Sequence, residues 1–177
     1  MIIGLSGYAR SGKDTVAELL CHNYEYSRMS FANPIKQALY RLNPEVNGYR
    51  LAEMVDNHGW EYVKAQHDEA RRLLQVLGTE VGRDMFGESF WVNMAMTGVL
   101  SEDKVVFSDV RYPNEAYAIQ RAGGQVWRIN RHNHGAVNSH KSERAMDNFS
   151  FKHVIYNDGT LDELSDEVFM LAKSLNL

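Results

Sequence analysis

Five short apolar runs, separated by amphipathic stretches, set the expected framework of this chain. They are Ile2 to Ser6, Tyr26 to Ser30, Lys104 to Asp109, Gln125 to Asn130 and His153 to Asn157. "KVVFSDV" and "HVIYND" are near-continuous apolar runs ending in Asp or Asn, the pattern of parallel strands buried on both faces. Helical spacing lies between the runs. Thr15 to Asn23 follows the first of them. Ala70, Leu73, Leu74, Leu77 and Val81 predict one long helix around residues 62 to 82. Glu115 to Ala122 predicts a helix that Pro113 suits at its start and Gly123-Gly124 closes. Leu161, Leu164, Val168, Leu171 and Leu175 form an apolar stripe, with Thr160 and Glu163 as a capping box before it. Strands alternating with helices predict an α/β fold: a parallel five-stranded sheet flanked by helices, joined by right-handed crossovers. Residues 31–103 are too long and too helical for a simple crossover, and predict a substrate-binding insertion. Residues 131–150 are polar with weak periodicity and predict a mobile loop or lid.

The first strand leads into "GYARSGKDT", residues 7 to 15. Gly7, Gly12 and Lys13 fit the phosphate-cradling pattern G-x-x-x-x-G-K, in the strand-to-helix context that pattern requires. Glycines let backbone N–H groups of the loop, through Ala9, Arg10 and Ser11, converge on phosphate oxygens. The helix start adds its positive end. Lys13 would reach the bridging and terminal phosphates, and Arg10 adds a further cation near the transferred group. The pattern normally continues with a hydroxyl that touches Mg²⁺. Here Asp14 stands in that place and Thr15 follows, about 100° further round the helix. A carboxylate beside a triphosphate is favoured when Mg²⁺ or an arginine lies next to it. Asp14 is therefore expected to act through the metal's water shell or to orient Lys13 and an arginine. Thr15 either touches the metal or caps the helix.

"VVFSDVRYPNE" places Asp109 at the C-terminal end of a strand, the edge where parallel sheets bind ligands and where a second metal-facing carboxylate is expected. Arg111 would project to the same edge and fork onto a phosphate; the plain alternative is a surface salt bridge to Glu115. Arg128 and Arg131 flank the end of the fourth strand, as lid arginines would. Strand alternation offers Arg128 a solvated face instead. Arg144 is a weaker lid candidate. In the insertion, Lys36, Arg71, Arg72, Gln75 and Arg83 are acceptor-side candidates, with Trp91 and Glu115 counted beside them. Arg71 or Arg72 can share a helix face with Gln75, a cation for phosphate and an amide for a base edge; a solvated helix face is the plain alternative. Trp60, Trp91 and Trp127 read as core or base-pocket walls. "NDGT" reads as a turn whose Asn157 and Gly159 also suit backbone contact with an adenine ring.

Composition narrows the class. A length of 177 residues suits one domain with an inserted lid, and the net charge of −4 argues against a general nucleic-acid coat. Cys21 is the one cysteine and reads as a small buried hydrophobe. "HNHG" at residues 132–135, with His140, lacks the cysteine ligands of common structural zinc sites and the context of a nuclease unit. No run approaches the roughly 18 apolar residues of a membrane span, and "MIIGLSG" has no basic leader. The expected location is cytoplasmic.

Six segments together resemble the bacteriophage-type deoxynucleoside monophosphate kinases. They are "GYARSGKDT", "SFANPIKQAL", "RRLLQVLGTEVGRDMFGESFWV", "FSDVRYPNEA", "HKSE" and "YNDGTLDEL". The resemblance runs from residue 1 to about 165. The family is similar to adenylate-kinase-like enzymes, and the GKD variant is also similar to that of phosphomevalonate kinases. The resemblance implies a P-loop NTPase fold of the nucleoside monophosphate kinase kind, with helical insertion and lid. It implies transfer of the ATP γ-phosphate to a dNMP with Mg²⁺, in the cytoplasm of an infected bacterial host if the gene is a phage's. Lys13, Asp14, Arg111 and a lid arginine such as Arg131 carry the chemistry in that reading, Asp14, Thr15 and Asp109 the metal. Small-molecule substrates, neither nucleic acid nor membrane, are the implied partners, with a homodimer left open. Two alternatives stand beside it: a dephospho-coenzyme A or other small-metabolite kinase, and a nucleotide-binding regulatory switch.

Overall fold

The computed structural model describes residues 1–132 and 144–177. A five-stranded parallel sheet carries the strand order β2-β5-β1-β6-β7. The central strand β1 (Ile2–Ser6) is buried along its whole length. It pairs on one side with β5 (Val105–Phe107) and on the other with β6 (Gln125–Asn130). The edges are β2 (Ser27–Met29), against β5, and β7 (His153–Tyr156), against β6. The inner strands β1, β5 and β6 are buried over most of their length, whereas β7, whose run HVIYND predicts burial on both faces, lies at an edge with Val154 and Tyr156 exposed. Three expected strands are shorter than their apolar runs, β7 by its last residue only. β2 keeps only the residues that pair with β5, and β5 ends at Phe107, so Asp109 lies two residues beyond it.

One face of β1 presents Ile3 and Leu5 to α1 (Lys13–Tyr24) and α7 (Leu161–Ser174), which contribute Val16, Ala17, Leu20, Leu164 and Val168. Trp127 and Ile129 of β6 complete that core without exposure. Gly4 turns to the other face, where α6 (Pro113–Arg121) brings Ile119 against it. The first compact unit comprises Met1–Phe31 and Met96–Leu177. Among the described residues, no helix is long and apolar enough to cross a membrane.

The capping box expected before α7 is present. Thr160 Oγ1 accepts from Glu163 N at 3.2 Å, and Glu163 Oε2 accepts from Thr160 N at 2.7 Å. Thr160→Ala is expected to lower stability by about 1 kcal/mol, read as a shift of the denaturant midpoint at constant slope. The Thr160 amide holds the Glu163 carboxyl below its ordinary range. That half of the cap is full above the unfolded carboxyl pKa of about 4.3 and is lost as pH falls through the lower folded value.

The second unit, Ala32–Ala95, is helical. It contains α2 (Asn33–Leu42), α3 (Leu51–Gln66), α4 (Asp68–Gln75), a π-helix (Val76–Met85) and the body of α5 (Phe90–Met96). A two-residue hairpin joins β3 (Glu45–Val46) to β4 (Tyr49–Arg50). Its turn is Asn47-Gly48, both at positive φ. Leu39, Val46, Leu51, Met54, Val63 and Ala70 form the unit's core.

The single helix expected around 62–82 is three pieces. His67, extended at φ −129° and ψ 100°, ends α3 and caps α4. Asp68 and Glu69 then fall in a new first turn, where the helix dipole favours acids. From Val76 the helix widens to the π form. The cause is visible in what packs on it. Trp91 Nε1 donates to Gly78 O at 3.1 Å. A Cβ on Gly82 would lie 1.8 Å from that same Nε1. The widened turn and its two buried glycines admit the indole edge-on.

Candidate functional site

The loop between β1 and α1 forms as its glycines predict. Gly12 caps α1 at φ 103°, a left-handed conformation that favours glycine, and the helix begins at Lys13 rather than Thr15. A Cβ on Gly12 would lie 2.3 Å from Asn157 Nδ2. That amide donates to Ser11 O at 2.9 Å, so the turn after β7 clamps the loop. Lys13 Nζ donates to Gly7 O at 2.9 Å and Tyr8 O at 2.7 Å, holding the ammonium at the loop's mouth. Ser11 Oγ is buried inside the loop with no hydrogen-bond partner among the described residues. A buried hydroxyl in this state suits a ligand oxygen.

A small cavity of about 30 Å³ lies at the loop, lined by Ser6, Gly7, Ala9, Lys13, Val110, Arg111, Arg128 and Met146. Three cations, Lys13 at the start of α1, Arg111 in the loop after β5 and Arg128 within β6, thus line one small cavity. The solvated face offered to Arg128 is not what forms: its side chain is 9% exposed. Its guanidinium lies 4.8 Å from the Tyr8 ring centroid and 5.5 Å from that of Phe151. Nε donates to Asn130 Oδ1 at 3.1 Å, and Asp147 lies 3.7 Å away. Tyr8 donates to Asp147 Oδ1 at 2.7 Å; that bond and burial raise its pKa and keep the phenol a donor. The side chains of Tyr8, Asp147 and Phe151 carried no signal in the sequence, since their place around Arg128 is set by contacts distant along the chain.

Glu115, offered as the partner of a surface salt bridge to Arg111, meets the backbone there. Glu115 is 4% exposed, and its Oε2 accepts from the Arg111 and Tyr112 amides at 2.7 and 3.0 Å. It caps α6 and fixes the backbone from which the Arg111 side chain departs. Glu115, counted on the acceptor side, thus has a task inside the fold.

Both expected acids are held from β2 and the two residues after it. Asp109 Oδ2 accepts from Ser30 Oγ at 2.6 Å, and Oδ1 accepts from the Phe31 amide at 2.8 Å. Asp14 Oδ1 is engaged by Arg28, whose Nε donates to Ser108 Oγ at 3.1 Å. The sequence reading passed over Arg28, because an arginine on a short edge strand reads as a solvated charge. Among the described residues no group of three or more His, Cys, Asp or Glu side chains could hold a metal ion. Two carboxylates, Asp14 and Asp109, match the one or two that Mg²⁺ takes together with phosphate oxygens and water.

The remaining expected residues are dispersed. Arg10 is exposed in the loop at φ 64°. Thr15 lines a separate hollow with Glu18, Leu19, Cys21 and Leu161, not the loop cavity. Arg131 is exposed, and its charge lowers the pKa of Asp158 after the larger effect of the His132 amide, which donates to that carboxylate at 2.5 Å. Gly159 packs against Glu163. Of the expected lid, residues 133–143, with His134, His140 and most of "HNHG" and all of "HKSE", lie outside the described residues. Met146 after them is 2% exposed.

In the helical unit, Lys36 lines a cavity of about 340 Å³ with Asn33, Gln37, Tyr40, Arg41 and Trp60. The residues from α2 recur every three or four positions, so one helix face supplies cations, amides and a phenol opposite an indole. Arg71 and Arg72 pair instead with Asp68 and Glu69 on an exposed face, where Gln75 is exposed too. Arg83 is half-buried on the π-helix. Trp91 is no open base wall; it is 7% exposed and its N–H is taken by Gly78.

Comparison with known proteins gives this arrangement a family. The model of deoxynucleotide monophosphate kinases matches residues 1–64 and 53–168. A protein of Acanthamoeba polyphaga mimivirus with that activity in its name is 29% identical over 187 residues, covering 95% of this chain and 94% of the relative. The deoxynucleotide monophosphate kinase of Escherichia phage RB69 is 24% identical over 238 residues, covering 94% and 97%. The deoxynucleoside-5'-monophosphate kinase of Escherichia phage T5 is 26% identical over 174 residues, covering 65% and 70%. Among solved structures, shikimate kinase from Aquifex aeolicus aligns over 100% of this chain and 99% of its own, at 14% identity and a TM-score of 0.48. With a family model spanning most of its length, the chain belongs to the deoxynucleotide monophosphate kinase family.

Proposed function

We propose that the protein transfers the γ-phosphoryl group of ATP to a deoxynucleoside monophosphate, giving ADP and a dNDP. The observation that carries this reading is the convergence of Lys13, Arg111 and Arg128 on the cavity of a glycine loop that also buries an unpartnered hydroxyl. The acceptor is itself a phosphate oxygen and needs no strong base. Catalysis then rests on in-line positioning and on neutralising charge over the transferred group. Loop amides and Lys13 hold the β- and γ-phosphates. Arg111 approaches from the loop after β5 and Arg128 from within β6, and Arg131 serves from the lid. Asp14 and Asp109 are the carboxylates that would hold Mg²⁺, directly or through water, with Thr15 beside them. Mg²⁺, when bound, supplies positive charge against the phosphate oxygens.

The acceptor is read by the helical unit. The cavity beside Lys36 joins cations for a phosphate, amides for a base edge and an indole for stacking, and its volume falls in the range of small-molecule sites. Asn157 and Gly159 lie by the adenine. A coupled ADP-release assay with ATP and Mg²⁺, run across the dNMPs, the ribonucleotides and dephospho-coenzyme A, tests the reading. Stimulation by one or more dNMPs is expected. No stimulation by any monophosphate would sink it, and stimulation by dephospho-coenzyme A alone would transfer it to the other kinase class.

A further inference from the structure

Asp14 departs from the usual phosphate loop, and the structure gives it a partner from outside the loop. Arg28 projects from β2 and engages Asp14 Oδ1. A second point fixes the guanidinium: its Nε donates to the hydroxyl of Ser108, which is 8% exposed and directly precedes Asp109. One residue past the end of β2, Ser30 Oγ reaches Asp109 itself. β2 and the residue that follows it thus engage both acids, Arg28 meeting Asp14 and Ser30 meeting Asp109. The strand is set in register by its parallel pairing with β5, Arg28 opposite Val106 and Met29 opposite Phe107.

An ion pair of this exposure, 40% for Arg28 and 75% for Asp14, contributes little to stability. Its two-point geometry is better suited to orientation. Arginine is rigid and planar, so fixing Nε on Ser108 fixes the direction in which its terminal nitrogen meets Asp14. With Oδ1 taken, the direction of Oδ2 is set as well. We propose that Arg28 is a positioning residue: it holds the Asp14 carboxylate at one angle beside the phosphate loop, with Ser108 as its anchor. This rests on the kinase reading for its activity arm. It departs from that reading in assigning a role to a residue on an edge strand that touches neither the loop cavity nor, among its described contacts, the loop backbone.

The test uses the full chain and four variants: Arg28→Met, Arg28→Lys, Ser108→Ala and Asp14→Asn. Wild type is assayed first; if no monophosphate stimulates it, the kinase reading fails before any variant is compared. With an active wild type, Arg28→Met is expected to lower kcat about 10- to 30-fold, within what misplacing a group near the reaction costs. ADP affinity by calorimetry should change less than about 3-fold, and the melting temperature should hardly move. Arg28→Lys should recover part of the loss. In the Asp14→Asn background, Arg28→Met should have little further effect, because the two act as a unit. A readout independent of turnover is the Arg28 side-chain Nε–H signal in a nitrogen-resolved NMR spectrum. It should shift in Ser108→Ala and in Asp14→Asn. Three results would overturn the proposal: full kcat in Arg28→Met, effects of Arg28 and Asp14 that multiply independently, or a loss of ADP affinity matching the loss of kcat. The last would make Arg28 a nucleotide-binding cation. An Nε–H signal indifferent to both Ser108→Ala and Asp14→Asn would also overturn it.

Discussion

Lys13→Met is expected to lower kcat/KM by about 10³-fold, the largest effect of any single substitution in the chain. One preorganised donor aimed at developing charge is worth about 10²–10³ in rate, and Lys13 adds a full charge to that. Its position is built rather than incidental. Two loop carbonyls, of Gly7 and Tyr8, hold the ammonium within 3 Å, so the cation waits at the mouth of the cavity that Arg111 and Arg128 also line. Lys13→Arg should restore little, because a planar fork cannot replace a compact ammonium between those carbonyls. The check is kcat/KM for ATP and for the dNMP beside a thermal melt of each variant. Near-normal rates in Lys13→Met would reduce the residue to a brace of the loop.

Gly82→Ala is expected to be the most destabilising small substitution, by about 2–3 kcal/mol and more if the π-helix cannot shift. Its new methyl would meet the Trp91 indole at Nε1, Cε2 and Cδ1, at 1.8, 2.5 and 2.7 Å. Relief would displace the indole and break its hydrogen bond to Gly78 O. The lost bond leaves a buried donor unsatisfied, itself a cost of about 1–3 kcal/mol. A denaturant titration at constant slope measures the loss. The cause is separable. In a Trp91→Ala background, where the indole is gone, Gly82→Ala should cost far less. An equal cost in both backgrounds would show that the methyl meets something other than Trp91.

How much of this was legible in the sequence depended on whether the information was local. β1 and β6 coincide with their apolar runs because both are buried on both faces, Arg128 included. The capping box of Thr160 and Glu163 is a contact over three residues and reads directly. The glycine loop is equally local. The Asn47-Gly48 hairpin was also local, a strong turn pair, yet its strands of two residues give no alternation to detect. The 62–82 helix failed for the opposite reason: its apolar spacing is real, but the chain extends at His67, and the widened turns from Val76 pack against Trp91, which lies beyond the stripe. The site divides along the same line. Gly12, Lys13 and Arg111 announce themselves by motif, whereas Arg28, Ser108, Tyr8 and Asp147 matter only through partners up to 139 residues away.

The clamp of Asn157 on Ser11 spans 146 positions, and β1 lies between strands that begin at Val105 and Gln125. A ribosome therefore releases the central strand and its loop long before either neighbour exists, and the clamp arrives later still. Contacts so distant in sequence slow folding and leave apolar strands exposed while they wait. The nascent chain must carry an unfinished sheet through most of its synthesis. The nucleotide loop takes its final shape only once the turn after β7 has emerged, so a chain cut short before Asn157 would carry the whole glycine motif without its clamp.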